Sequence, residues 1–405
     1  MQTSKSPFFS RTYGGYSADQ IRFIADHSAD LYDATVLDPM AGQGFFLSQG
    51  LPEASDVWLG DINPGPLLLA TLRDPKLIGR AQEFKEWYLD KLSCIFPGRS
   101  RGADASYSED WLSECSRSEL SNYSAAFDVN NLSAVWRAPA RVRLAIGLAV
   151  LAAREVICYT ESDNVTWFKK GGLQHYPSVR EPLLHAVDQW IDFAAGAALK
   201  RPRKFRLHIA PMNPERHRFG PCPQVDLVIT SPPYANRLDY TRMWAPELQL
   251  LGAMLDFDPD SIKRDQIGTT VVHSKWPEDD RVAQLPTFIR RTLDSIRKDK
   301  TAASERYYYP FFANYALNLS DALQNIGDKV RRRGRMLVFV RDTTRKDFLL
   351  EVGRLVESAL KASGFRQVGK HQKVVRHHVG MMRRASPATV YGLAQREWWL
   401  AFEKI

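Results

Sequence analysis

Residues 225–234 read VDLVITSPPY. Val225 to Ile229 is a short apolar, β-branched run of the kind buried on both faces of a parallel sheet. Prolines 232 and 233 follow at once. Each removes a backbone N–H and restricts the residue before it, so the strand must stop at Ser231, leaving carbonyls in fixed directions that no local N–H can claim. Something outside the backbone is expected to use them. A primary amine on a planar ring fits: carbonyl and hydroxyl acceptors for its two hydrogens, and Tyr234 as a flat stacking surface.

A buried parallel strand requires a sheet, and the rest of the chain supplies one. Residues 17–29 open with Ser17 as an N-cap and place Ile21, Ile24 and Ala25 on one helical face. ATVLDPMAGQGFF (Ala34 to Phe46) reads as strand, tight loop and helix, and DVWLGDINP (Asp56 to Pro64) as a second strand ending on an acid. KFRLHIAP (Lys204 to Pro211), the run to Tyr234, and RGRMLVFVRD (Arg333 to Asp342) read as further strands. YYPFFANYALNLSDALQNIGDKV (Tyr308 to Val330) and FLLEVGRLVESALKASGF (Phe348 to Phe365) read as helices. FRQVGKHQKVV and REWWLAFEK supply a closing antiparallel pair. This alternation predicts an α/β fold with a Rossmann-like, doubly wound sheet.

Two segments interrupt it. Residues 67–203 read as a mostly helical insertion holding Trp87, Trp111, Trp136, Trp167 and Trp190 with a Ser-rich connector, and residues 255–303 as a second, polar insertion open to motion. The expected division is therefore a catalytic domain of residues 1–66 and 204–405, and a helical insertion of residues 67–203.

The balance of 55 Lys+Arg against 46 Asp+Glu, a net charge of +9, favours an anionic partner such as nucleic acid, although a generally basic surface explains it equally. Cys94, Cys115, Cys158 and Cys222 show no C-x-x-C spacing, which argues against a zinc site and a disulfide framework. No metal is expected. With no signal-peptide core and no stretch of 18 apolar residues, LAIGLAVLAA (Leu144 to Ala153) reads as a buried helix, and a cytoplasmic protein with no membrane contact is expected.

Within DPMAGQGFF, Gly42 and Gly44 occupy a strand-to-helix turn where backbone N–H groups can approach a ligand without a Cβ in the way. Leu47 stands where a dinucleotide fingerprint would place its third small residue, and the turn is not a P-loop. A tight βα turn with no ligand is the plain alternative. Asp61, seventeen residues after Gly44, weighs against it, because a carboxylate ending the second strand can accept both hydroxyls of a ribose.

Asp38-Pro39-Met40-Ala41-Gly42-Gln43-Gly44 resembles the D-P-F-x-G-x-G cofactor loop of S-adenosylmethionine-dependent amino-methyltransferases acting on DNA, and Ser231-Pro232-Pro233-Tyr234 resembles their [DNS]-P-P-[YFW] catalytic tetrapeptide. The resemblance implies a class I methyltransferase sheet and S-adenosyl-L-methionine as cofactor, held by residues 38–44, Asp61 and Ile62. YGGYSADQIRFIAD, with Tyr16, matches in position the segment at the methionine end. Ser231 and Pro232 are implied as acceptors for the target amine, Pro233 as the fixed turn, and Tyr234 as the platform for a flipped base. DNA is the implied partner, with a restriction or defence system as a possible further one. The Ser-Pro-Pro-Tyr form leans to N4 of cytosine over N6 of adenine. RNA methylation, or a degenerate methyltransferase kept as a nucleic-acid binding subunit, are the rival readings.

In NRLDYTRMW, Asn236, Arg237 and Arg242 are candidates for substrate contact, Asp239 for support of the site and Tyr240 for stacking; a salt-bridged first helical turn is the equal alternative. Cys222 in Pro-Cys-Pro precedes the strand rather than ending it, which favours a structural thiol over a nucleophile. Basic runs at 200–206, 331–335 and 376–384 are candidate phosphate contacts, with solvated loops as the plain alternative, and an aromatic pair beside Lys169 and Lys170 suits nucleic acid or a domain seam equally.

Overall fold

The computed structural model describes residues 15–45, 47, 54–97, 107–161, 168–173, 176–197, 205–235, 239–269, 279–299, 304–345, 348–375 and 395–405. Seven strands form one sheet: β1 (Ala34–Asp38), β2 (Ala54–Asp61), β3 (Arg206–Pro211), β4 (Val225–Thr230), β5 (Val330–Arg341), β6 (Phe365–Val374) and β7 (Arg396–Lys404). Their spatial order is β6-β7-β5-β4-β1-β2-β3. Neighbours are parallel except where β7 runs antiparallel between β5 and β6. The chain is thus mixed α/β with a mostly parallel central sheet. β4 lies in its middle, which explains why Val225, Leu227, Val228, Ile229 and Thr230 are all buried.

Helices cover both faces. On one, Tyr309–Lys329 and Val352–Ala362 pack Phe312, Leu319, Leu323 and Leu355 against Val228, Met336 and Val338. On the other, Ala18–Asp26 packs Phe23 and Ile24 against Leu337, Phe339 and Trp399. That short helix begins on a capping box: Gln20 N–H donates to Ser17 Oγ at 3.3 Å and Ser17 N–H to Gln20 Oε1 at 2.7 Å. A cap of this kind stabilises by about 1 kcal/mol. The buried face carries Gln20, Phe23 and Ile24, while the expected Ala25 is exposed. Phe23 meets Phe339 and Trp399 edge-on at 6.1 and 6.0 Å, and this aromatic contact sets the rotation of the helix.

Between β2 and β3 the chain is mostly helical and has a core of its own. Ala140–Val156 is buried almost all round, and Arg180–Gly196 seats Trp190 fully inside, its indole N–H donating to the Leu72 carbonyl at 2.9 Å. Two short ribbons, Tyr107–Ser108 with Gly172–Leu173 and Tyr159–Glu161 with Phe168–Lys170, interrupt the helices. Helix Ala245–Met254, after β4, adds Leu250, Leu251 and Met254 to the same core. The body is therefore built from two stretches of sequence.

Two expectations need correction. Residues 255–303 are not simply a polar insertion: helix Thr287–Lys298 buries Ile289, Leu293 and Ile296 in the main core, because its apolar residues recur every three to four positions among eight polar ones. The helix read over 348–365 is also shorter. Phe348–Leu350 pairs as a strand with Thr343–Arg345, and the helix spans Val352–Ala362. Among the described residues no helix is long and apolar enough to cross a membrane.

Candidate active site

Because β1, β2 and β4 are parallel neighbours, their carboxyl ends open on one edge, and the residues at 38–44, 61 and 231–234 meet there. Asp38 ends β1 buried, accepting the Met40 N–H at 3.1 Å. Burial holds its carboxyl well above the usual carboxylate range, and the nearby Asp61 adds to this against donors from Met40 and Thr230. Pro39 and Ala41 are buried and Met40 half-buried. The turn is pinned by Ala41 N–H to the Gly60 carbonyl and Gly44 N–H to the Ala41 carbonyl, both at 2.8 Å.

Gly42 and Gly44 take φ of +51° and +64°, the left-handed region. They differ in what surrounds them. A Cβ at Gly44 would stand 2.9 Å from Leu59 Cδ1 and 3.2 Å from Ala70 Cβ, so that glycine lets the turn lie against β2 and the next helix. A Cβ at Gly42 would meet nothing within 4 Å. The backbone at Gly42 faces open space.

Asp61 closes β2 beside it. One carboxylate oxygen accepts Gly42 N–H at 2.9 Å and the other Asn63 N–H at 2.8 Å. Burial nevertheless raises the carboxyl to about 6, so desolvation outweighs these donors. Ile62 follows, half-buried. Gln43 is buried, and its carbonyl accepts Arg73 Nε–H at 2.9 Å. Burial lowers Arg73 to about 9 while its guanidinium lies 4.7 Å from the Phe45 ring centre. Arg73 ties the helical body to the turn, and nothing in its local sequence announces that role.

The β4 end is equally fixed. Pro232 is buried, and Ser231, Pro233 and Tyr234 are half-buried. The Pro233 carbonyl is not free: Tyr315 Oη–H donates to it at 2.9 Å from helix Tyr309–Lys329. The Pro232 carbonyl accepts no such bond from the described residues. Tyr234 N–H donates to Tyr240 Oη at 3.3 Å. Burial pushes the Tyr234 phenol up, opposed by hydrogen bonding with Ser231, with Glu397 and Arg341 as the charges acting on it. Tyr16 is brought to the same place. Burial raises its phenol, and Asp38 and Tyr234 raise it further.

Asn236 and Arg237 lie outside the described residues. Asp239 caps helix Tyr240–Met243, accepting Thr241 N–H at 3.1 Å and Arg242 N–H at 3.2 Å, with Arg242 at 3.5 Å and Lys263 at 3.7 Å as ion partners. That is the salt-bridged first turn. Tyr240, half-buried at the start of that helix, accepts Tyr234 N–H on its phenol oxygen, and burial pushes the phenol up to about 12. Arg242 is half exposed.

Cys222 is buried ahead of β4, and burial pushes its thiol up to about 11, unlike a nucleophile. The 331–335 run begins β5, at the amino edge of the sheet, where Arg331 pairs with Asp226 at 2.7 Å and Arg335 with Asp30 at 2.8 Å. This edge is opposite the candidate site. Residues 200–204 and 376–384 lie outside the described residues, as do residues 163–167. Among the described residues, no group of three or more His, Cys, Asp or Glu side chains is placed to hold a metal.

The fold and this edge define a mostly parallel α/β protein with a glycine turn, a strand-end acid and a rigid proline pair converging on one opening. Comparison with known proteins agrees in part. The chain is 34% identical over 80 residues to the Type II methyltransferase M.AvaI of Nostoc sp. (strain PCC 7120 / SAG 25.82 / UTEX 2576), and equally to that of Anabaena variabilis. The match covers 18% of this chain and 16% of each relative. The chain thus shares one segment with these Type II methyltransferases and spans well under two thirds of their length. No protein-family model matches the chain.

Proposed function

We propose that this chain transfers a methyl group from S-adenosylmethionine to an exocyclic amine of a DNA base, N4 of cytosine in preference to N6 of adenine. The observation that carries the reading is the convergence, on one sheet edge, of open backbone at Gly42, the Asp61 carboxylate and the Ser231 to Tyr234 loop. The strand order β6-β7-β5-β4-β1-β2-β3, with β7 alone reversed, supports the class I methyltransferase sheet.

Residues 38–44, 61 and 62 fit the cofactor. Asp61 accepts Gly42 N–H on one oxygen and Asn63 N–H on the other, with Ile62 N–H also acting on the carboxylate, and its remaining acceptor capacity suits a ribose hydroxyl, while the space over Gly42 admits the nucleoside against the backbone. S-adenosylmethionine supplies a sulfonium methyl: the amine lone pair forms the N–C bond, the C–S bond pair stays on sulfur as a thioether, and the surplus amine proton leaves to solvent. Ser231 Oγ and the Pro232 carbonyl hold the amine's two N–H bonds, which turns the nitrogen lone pair out of the ring and toward the methyl. Pro232, Pro233 and the Tyr315 hydroxyl keep that carbonyl aimed. Tyr234 stacks on the base, which must leave a duplex to reach this edge.

We assign target recognition to the helical body of residues 67–203, which Arg73 joins to the glycine turn. Incubation of the chain with methyl-labelled S-adenosylmethionine and mixed-sequence DNA or RNA, followed by nucleoside analysis, tests the reading. Label in N4-methylcytosine of DNA is expected. Label in RNA alone, in 5-methylcytosine, or in no nucleic acid sinks it.

A further inference from the structure

Arg341 closes β5 at the same edge. Thr230, the last residue of β4, lies beside Val338 in the parallel β4/β5 pair, and Arg341, three residues further along β5, is near enough to Tyr234 for its charge to act on that phenol. Side chains alternate along a strand, which puts Arg341 on the face of Phe339, the ring that packs on Tyr16 at 4.9 Å. Directly across on β7 stands Glu397. Glu397 spends Oε1 on Gln20 Nε2–H at 3.0 Å and Trp399 Nε1–H at 2.8 Å, rather than on the arginine.

Arg341 Nε and Nη2 are buried, and neither has a hydrogen-bond partner among the described residues. Burial lowers the guanidinium's pKa, with Tyr234 and Glu397 as the opposing charges. Buried donors without acceptors are retained at a cost to stability, and at the edge of the candidate site this pair is available to acceptors that arrive with a ligand. Nε–H and the adjacent Nη2–H form the side of the guanidinium that presents two parallel donors to two acceptors lying next to each other.

We infer that this fork reads the Watson–Crick edge of the target base and selects cytosine. Beside its N4 amine, cytosine presents N3 and O2 as adjacent acceptors. Adenine presents N1 beside its N6 amine and then the C2–H, so one donor would face carbon and remain unmet. A site built around such a donor rejects a ring lacking the acceptor more strongly than a shape difference would. Glu397 across the strand offsets the positive charge, which suits a neutral ring better than a phosphate. The inference rests on the methyl-transfer reading and deepens it by naming the base.

The test uses the full chain, Arg341→Gln, Arg341→Lys and Arg341→Ala, with methyl-labelled S-adenosylmethionine and long mixed-sequence duplex DNA. Single-turnover labelling is followed by nucleoside mass spectrometry, and S-adenosylhomocysteine binding and the salt dependence of DNA binding are measured alongside. Wild type is expected to make N4-methylcytosine, and each folded variant to lose at least tenfold in single-turnover rate with S-adenosylhomocysteine affinity within twofold and an unchanged salt slope. Arg341→Lys keeps the charge without the fork, so its failure to rescue separates base reading from electrostatics. A folded Arg341→Ala with an unaltered rate overturns the assignment. So does lost S-adenosylhomocysteine affinity, which gives the guanidinium to the cofactor carboxylate, or a shallower salt slope, which gives it to a DNA phosphate. N6-methyladenine from wild type overturns this inference and leaves methyl transfer standing; wild type that binds S-adenosylhomocysteine yet labels neither base removes both.

Discussion

Two glycines in one turn, at 42 and 44, carry different loads, and alanine at each position separates them. Both have positive φ, so an alanine Cβ costs about 1 to 2 kcal/mol of backbone strain, offset by about 0.4 to 1 kcal/mol from the less flexible unfolded chain. Gly42→Ala therefore destabilises by about 1 kcal/mol, since its Cβ meets nothing within 4 Å. At Gly44 the new methyl stands 2.9 Å from Leu59 Cδ1 and 3.2 Å from Ala70 Cβ, in a buried layer that cannot shift freely. Overpacking of that kind adds about 1 to 3 kcal/mol, for a total of about 2 to 4 kcal/mol. Urea denaturation monitored by tryptophan fluorescence measures both. Binding should reverse the order: Gly42→Val, whose side chain enters the open space, should lose more than tenfold in S-adenosylhomocysteine affinity by calorimetry, while Gly44→Ala keeps most of it below its own unfolding midpoint. Equal destabilisation by the two alanines, or an unchanged affinity in folded Gly42→Val, refutes the reasoning.

Asp61 predicts a pH dependence: its folded carboxyl titrates near 6, and an ionised carboxylate is the better ribose acceptor, so S-adenosylhomocysteine affinity should rise between pH 5 and 7 and then level. Because that pKa is raised above the unfolded value of 3.8, the ionised group opposes folding, and its burden grows from about pH 4 to 6. In Asp61→Asn the affinity profile should flatten; a slope that persists excludes Asp61 as its source. Ser231→Ala should lower the single-turnover rate at least tenfold with cofactor affinity unchanged, and Tyr234→Ala should lose about 1 to 3 kcal/mol of base stacking, read as weaker DNA capture. Cys222→Ser should remain active, and its inactivity in a folded chain would demand a thiol mechanism. Tyr315→Phe removes the hydroxyl that donates to the Pro233 carbonyl and should slow turnover severalfold without moving cofactor affinity; an equal fall in both would make Tyr315 a general support instead.

The sheet was legible because its strands carry their own punctuation. Val225 to Ile229 is apolar throughout and stops at prolines, and the MLVFV run ends in Arg341, so each strand's carboxyl end is marked locally. Helix Thr287–Lys298 was not legible in the same way. Its Ile289, Leu293 and Ile296 sit among arginines and polar residues, and only the long-range contact with the face of Tyr309–Lys329 shows that three apolar side chains suffice to bury one side. The helical body likewise recruits Ala245–Met254 from beyond β4, a pairing that no local pattern contains.

The same division explains the site. Asp38, Gly42, Asp61 and Ser231 to Tyr234 are each set by the end of a strand, so motif and position coincide and they could be placed before the fold was known. Arg73, Tyr315 and Arg341 reach that edge from a helical body, a helix some eighty residues past the tetrapeptide, and a neighbouring strand. Their partners are a carbonyl of Gln43, a carbonyl of Pro233 and, for Arg341, no acceptor within the described chain. Backbone carbonyls leave no signature in a sequence, so side chains that serve them are found only from geometry. On the proposed reading the tetrapeptide fixes where the amine goes, and the less legible residues around it decide how rigidly the loop is held and which ring can bring that amine.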